Sequence, residues 1–322
     1  VFLVVHGSGG VGKTRLLLEA ADELTSDGKW QILWANVASM EASASWFAGI
    51  VPERKTLLLV DEPESEQFLR LLVDQLSGLG RMAQWKIAVA VRSPKDPVLR
   101  FLAAPRVRNF VKELPLGVLP EEPAIAMCKS LLAASTLGSR SETWQREAAR
   151  DLARRFGRHP IWLTLGVVVL EQTGDLNGVP NTADELAAFY LREILEHQSD
   201  LPRDQLLSVL RWIALLRSVN REDDATMRIV ANSTGLDSED RARSIIARLV
   251  ARRVVTERGA RNRLIELRPD VIGDHILAGW LSVDTGLVGR PYAPSTAAQA
   301  LLEVLTPLVV TGKLGAQGRT IL

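Results

Sequence analysis

The stretch VFLVVHGSGGVGKTRLLLEAADEL, residues 1–24, decides the reading of this chain. Val1 to Val5 is a short apolar run with the length of a buried strand. From Lys13 onward, Leu16, Leu17, Ala20, Ala21 and Leu24 recur at helical spacing, and Gly28 stands just past the end. Between strand and helix, Gly7, Gly12, Lys13 and Thr14 meet the pattern G-x-x-x-x-G-K-[ST] in the context that motif requires. The chemistry is anion binding. Glycines let successive backbone N–H groups turn inward, and the helix N-terminus adds unpaired N–H groups and a favourable dipole. Candidate nucleotide contacts are therefore Gly7, Ser8, Gly9, Gly10, Val11, Gly12, Lys13, Thr14 and Arg15. Lys13 is expected to reach the β- and γ-phosphates, and the Thr14 hydroxyl to hold Mg²⁺.

A chain of 322 residues, 47% of them hydrophobic, can bury two or three cores. A net charge of +1 gives no bulk electrostatic pull toward nucleic acid or an acidic partner. Cys128 is the one cysteine, so neither an internal disulfide nor a Cys-based zinc site can form. A reducing, cytoplasmic setting is expected. The longest apolar run, Ile161 to Leu170, includes Thr164 and Gly166 and is too short to span a bilayer. No signal peptide is read, because the N-terminal apolar run feeds straight into the loop. The chain opens on a core strand and ends without punctuation, so it reads as a piece of a longer protein.

Strands are expected at Trp30–Val37, Thr56–Glu62 and Trp85–Ser93, and a short one near Asn109–Leu114. A helix over Glu64–Leu79 lies between the second and third. Continuous apolar strands joined by helical crossovers imply a parallel sheet covered on both faces. From Glu121 the pattern turns helical: Glu121–Ala134, Ser141–Phe156, Pro160–Glu171 and Ala183–His197. A second helical group runs from Arg203 to Ala251 and ends in two β-like runs, Arg253–Glu257 and Arg263–Leu267. Three helices followed by a small hairpin is the pattern of a winged helix.

The run LLLVDE, residues 57–62, supplies the partner that a phosphate loop needs. Asp61 at a strand end is expected to hold Mg²⁺, as in a Walker-B element. Glu62 is the candidate base that orients water, and the two carboxylates tolerate each other with a cation nearby. Arg92, at the end of the next strand, is the candidate γ-phosphate sensor. The catalytic set is thus Glu62, Lys13 and Arg92, and the metal set Thr14 and Asp61. LSGLG, residues 76–80, is similar to the signature loop of transporter ATPases but lies after the metal aspartate, so Gly78 or Gly80 reads as a helix cap.

The order GSGGVGKT, LLLVDE, VRS, a helical lid with FGRHPIWL, then a winged helix resembles the STAND ATPases. These are the signal-transduction relatives of AAA+ proteins that include NB-ARC and NACHT proteins. The resemblance covers about Val1 to Leu281. It implies an α/β P-loop NTPase with an ASCE/AAA+-like parallel sheet, followed by a helical lid and a winged-helix domain. The expected divisions are 1–115, 116–198 and 199–285, with 286–322 opening a C-terminal sensor-side region. The family's lid carries a Gly-x-Pro element that touches the nucleotide. Here Gly157-Arg158-His159-Pro160 is one residue longer, and Pro160, then His159, are the candidate contacts. The resemblance further implies an ATPase cycling between a closed ADP state and an ATP state that assembles into a homo-oligomer. The trigger would be sensed by a C-terminal domain outside this chain, and bacterial members include phage-defence proteins.

The competing reading is a DNA-associated AAA+ ATPase of the initiator or helicase-loader type, with Arg158 as its lid arginine. The stretch RARSIIARLVARR, residues 241–253, bears on the choice. Arg241, Arg248 and Arg252 fall at spacings of a recognition helix, yet Asp237, Glu239 and Asp240 crowd its start. Residues 200–270 hold fourteen Arg against eleven Asp and Glu, a thin footprint for duplex binding. Intramolecular use of the module is the expectation. A metabolic kinase lacks an identifiable acceptor site, and no N-K-x-D-like run points to guanine. His6 reads as a packing residue, and no metal-ligand spacing links the histidines.

Overall fold

Strands β1 (Phe2–His6), β2 (Trp30–Trp34), β3 (Lys55–Asp61), β4 (Trp85–Val91) and β5 (Val111–Pro115) form one sheet in the order β2-β3-β4-β1-β5. Every pairing in it is parallel. The structure is a computed structural model that describes residues 2–26, 28–35, 55–61, 69–74, 85–91, 101–102, 108–196, 202–216, 219–252, 254–258, 264–267, 269 and 272–277. Parallel neighbours need crossovers, and the helix α1 (Lys13–Ser26) supplies the first.

The strand period of two sorts the side chains into two cores. Phe2, Val4, Leu58, Val60, Ile87 and Val89 face one side, against Leu69, Leu72 and Leu102. Val5, Leu57, Leu59, Ala88 and Ala90 face the other, against Leu17 and Ala21 of α1. Each fully buried Leu or Ile contributes roughly 1.5–3 kcal/mol over its exposed state. Burial on both faces holds for the central strands β3 and β4. It fails at the edges, where β2 is half-buried and β5 mostly exposed. The expected strand near Asn109–Leu114 begins two residues later, at Val111. Leu16, expected on the buried side of α1, is exposed, because the sheet side of that helix is taken by Leu17 and Ala21.

Three helices follow: α2 (Glu121–Ala134), α3 (Glu142–Arg155) and α4 (Pro160–Thr173). The Ser141 hydroxyl accepts from the Trp144 N–H and starts α3. Pro160 occupies the first turn of α4, where its missing N–H costs nothing. Cys128 is fully buried on α2, and burial pushes its thiol up to about 11, so it is an inert packing residue.

The chain divides into two compact units, Val1–Gly178 and Val179–Leu322. The second holds α5 (Ala183–Glu196), α6 (Arg203–Leu216), α7 (Asp224–Thr234) and α8 (Glu239–Ala251). It also holds β6 (Val219–Asn220), β7 (Val255–Arg258) and β8 (Leu264–Leu267), an antiparallel sheet in the order β6-β8-β7. Ile245, Ile246 and Leu249 of α8 are buried, as their spacing predicts. The two-residue β6 was not visible to periodicity.

Between α3 and α4 the backbone takes two successive left-handed residues, Gly157 (φ 62°) and Arg158 (φ 63°). Arg158 is the one described non-glycine residue at positive φ. A Cβ there costs about 1 kcal/mol or more. Arg158→Gly is therefore expected to raise stability by about 0.5–1 kcal/mol, read as a higher urea midpoint. A lower midpoint would mean that the guanidinium makes a contact worth more than the strain.

Candidate functional site

The sheet brings the chemistry to its carboxyl edge. His6 is in register with Val91 and Pro115, and Asp61 with Ala90. From β1 the chain departs toward β2, whereas from β4 it crosses back over β1 to β5. That divergence is a topological switch point, where open α/β sheets form their crevice.

Gly7 leaves β1 with its N–H donating to the Val91 carbonyl at 3.3 Å. A Cβ on Gly7 would stand 2.4 Å from the Leu116 oxygen, so the loop's exit admits no side chain. Val11 is buried and anchors the loop from below. Lys13 opens α1, whose first turn has no acidic residue to compete for its N–H groups. Lys13 is only 5% exposed, and its Nζ donates to the Gly7 and Ser8 carbonyls, both at 3.0 Å. A largely desolvated ammonium thus lies against the loop backbone at Gly7 and Ser8. Arg15 points away along α1 and pairs with Glu19.

The Thr14 Oγ1 donates to Asp61 Oδ2 at 2.9 Å. This bond ties the first turn of α1 to the end of β3. Asp61 is 6% exposed, at the end of a strand that is otherwise apolar from Leu57 to Val60. A hydroxyl and a buried carboxylate in contact are hard oxygen donors of the kind Mg²⁺ takes, alongside phosphate oxygens. The residues present therefore fit Mg²⁺. No cluster of three or more His, Cys, Asp or Glu side chains set for a metal exists among the described residues. Glu62 and Arg92 directly follow β3 and β4 but lie outside the described residues, as do Gly78 and Gly80.

The start of α4 sits on this loop. His159 Nε2 is 3.4 Å from Ser8 Oγ, and its Nδ1 is buried with no partner among the described residues. Burial first, and the Lys13 charge second, hold its imidazole below the ordinary value, so it is neutral near pH 7. A Cβ on Gly10 would stand 2.4 Å from Ile161 Cγ2 and 3.3 Å from His159 Cε1. Of the two lid candidates, His159 thus lies against the loop, and Pro160 stands between it and Ile161. Ile161 itself carried no signal in the sequence. Arg158 goes elsewhere. It lines a groove of about 700 Å³ with Glu121 and Ile125 of α2 and Glu147, Arg150 and Asp151 of α3, and no loop residue lines that groove. His6 is 3.7 Å from Glu113 on the edge strand and mostly covered.

No protein-family model and no curated protein matches the chain. Among solved structures it is similar to Cdc6p from Pyrobaculum aerophilum, at 15% identity over 86% of each chain with a TM-score of 0.41. A replication initiator DnaA bound to AMPPCP and single-stranded DNA is 13% identical over 78% of this chain and 82% of that one, with a TM-score of 0.39. The Holliday junction branch migration motor RuvB of Thermotoga maritima is 15% identical over 83% and 84%, also at 0.39. With these scores the fold assignment rests on the chain's own sheet order, phosphate loop and strand-end aspartate. The chain has an α/β P-loop NTPase fold with a five-stranded parallel sheet, followed by a helical C-terminal part.

Proposed function

We propose that this chain binds and hydrolyses ATP with Mg²⁺ and works as a nucleotide-driven switch of the STAND class. The observation that carries it is the join of three parts at one sheet edge. Lys13 covers the loop, Thr14 bonds Asp61, and the first turn of α4 lies on Ser8 and Gly10. Lys13 and the inward N–H groups would hold the phosphates. Thr14 and Asp61 would hold Mg²⁺, which supplies charge neutralisation at the phosphate oxygens when bound. Glu62 orients and deprotonates the attacking water in this reading, and Arg92 senses the γ-phosphate. Pro160 and His159 bring the lid to the nucleotide. In the closed state ADP is trapped, and in the ATP state copies of the chain assemble. We assign residues 1–115 to the nucleotide domain, 116–198 to the lid, 199–285 to a winged helix and 286–322 to the start of a sensor-side region. A cytoplasmic setting fits this reading. No helix among the described residues is long and apolar enough to cross a membrane. One point separates this reading from its competitor: Arg158 lines a groove without loop residues.

A second reading, a DNA-associated AAA+ ATPase, is favoured by α8. The acidic start of that helix is neutralised within its own unit. Glu239 pairs with Arg228 and Arg243, and Asp240 and Asp224 pair with Arg243. Arg241, Arg248 and Arg252 are exposed. The names of the similar structures lean the same way, but at their scores they speak to the fold only.

One experiment set decides. Purified protein is denatured, and its supernatant is run on anion exchange. Bound ADP that exchanges slowly supports the locked switch, and an empty site with fast exchange opposes it. Duplex DNA binding is then measured at low salt and at about 150 mM, with and without Arg248→Glu plus Arg252→Glu. The switch reading expects weak binding that the double variant leaves within about twofold. Tight, salt-sensitive binding abolished by the variant would move the assignment to the DNA-associated reading.

A further inference from the structure

Gly10 fills a position that the phosphate-loop motif leaves free, so the motif itself does not explain a glycine there. The structure gives two reasons. Gly10 holds φ +74°, a left-handed conformation that glycine adopts without steric cost and that anion-binding loops use. It also leaves a notch. A Cβ at Gly10 would stand 2.4 Å from Cγ2 and 2.8 Å from Cβ of Ile161, so the isoleucine rests directly on the loop backbone.

Ile161 is placed to be a rigid stop. It stands in the first turn of α4, a helix fixed in the lid core by Leu163, Val167 and Leu170, all buried. Its β-branched side chain has few rotamers and cannot swing aside. Unlike those three it is only half-buried, because it faces the loop rather than the lid interior. His159, one residue before the helix, touches Ser8 from the same side.

We infer that Ile161 is a positioning residue for the phosphate loop: seated in the Gly10 notch, it holds the loop's N–H groups ready for a phosphate chain. This deepens, and rests on, the proposed ATP reading, since the ligand is the β- and γ-phosphate portion of the nucleotide. A loop held in its binding form loses less freedom on binding. By linkage, whatever strengthens the loop–lid contact tightens nucleotide, and bound nucleotide tightens the contact by the same factor.

The test has a part that needs no nucleotide. Hydrogen exchange across residues 8–13 is measured in the nucleotide-free protein and in Ile161→Ala, Ile161→Val and Val167→Ala. Ile161→Ala is expected to speed loop exchange by about fivefold or more. Ile161→Val keeps both branches at Cβ and should stay within about twofold of wild type. Val167→Ala weakens the same helix from inside the lid and should leave loop exchange unchanged while lowering the melting temperature. Titration with MgATP should then show about five- to tenfold weaker binding in Ile161→Ala alone, with kcat at saturation kept. Unchanged loop exchange in Ile161→Ala, or an equal rise in Val167→Ala, overturns the inference. If loop exchange responds as expected but the wild type takes no MgATP, the ATP reading falls and the positioning role stands.

Discussion

Lys13→Ala is expected to weaken MgATP binding by about a hundredfold or more, the largest effect on nucleotide affinity of any variant considered. The reasoning starts from burial. At 5% exposure the ammonium has given up most of its water and is held by the Gly7 and Ser8 carbonyls. A charged group desolvated in advance interacts strongly with an anion, because little further desolvation remains to oppose it. Truncating one partner of such a pair costs about 2–5 kcal/mol in binding. Titration calorimetry on a variant whose circular dichroism matches wild type is the measurement. Unchanged affinity in a folded variant would remove the phosphate site from this loop. Loss of the fold itself would mean that Lys13 holds the loop together more than it holds a ligand.

The central strands were legible because their signal was redundant. Leu57 to Val60 and Ile87 to Val91 are apolar at every position, which only a strand buried on both faces requires. The bounds of α2 were read to the residue, since Pro120 precedes it and Ser135 ends it. The edges were harder. β2 holds a half-buried Trp30 and an exposed Trp34, and β5 carries Lys112 and Glu113, so neither shows the run that marks its neighbours. Leu16 sits on an exposed position of α1 although its spacing fits the core face. A helix lying across a sheet buries a narrower stripe than periodicity alone suggests.

The site was half legible for a similar reason. Gly7 to Thr14 is contiguous, so its chemistry is written in one place, and Asp61 follows an apolar strand that declares itself. The contact between Gly10 and Ile161 joins a free motif position to a helix start far along the chain, and neither residue type is informative by itself. Arg158 shows the converse. Its type and its place in the lid made it a plausible γ-phosphate contact in the competing reading. Two left-handed residues turn the chain there, and the side chain lines a groove free of loop residues. Backbone conformation, which residue identity did not announce, decided where that charge went.

Substitutions at the end of β3 should separate metal binding from water activation. Asp61→Asn keeps the side chain's size and the oxygen that accepts from Thr14, but removes the negative charge. The Thr14 hydroxyl can then no longer share a cation with an anionic partner. Nucleotide affinity should lose most of its dependence on free Mg²⁺, and turnover should fall by about 10²–10³-fold. Glu62→Gln is expected to behave differently. With Asp61 intact, MgATP affinity should stay within about threefold of wild type, while single-turnover hydrolysis falls by about 10²–10⁴-fold, the contribution of a positioned base. Affinity titrations over a range of free Mg²⁺, paired with single-turnover rates, distinguish the two variants. Two identical profiles would mean that the adjacent carboxylates act as one metal site. A wild-type rate in Glu62→Gln would move the base elsewhere, and Asp61 would be the next carboxylate to examine, since it reaches the same edge through its bond to Thr14.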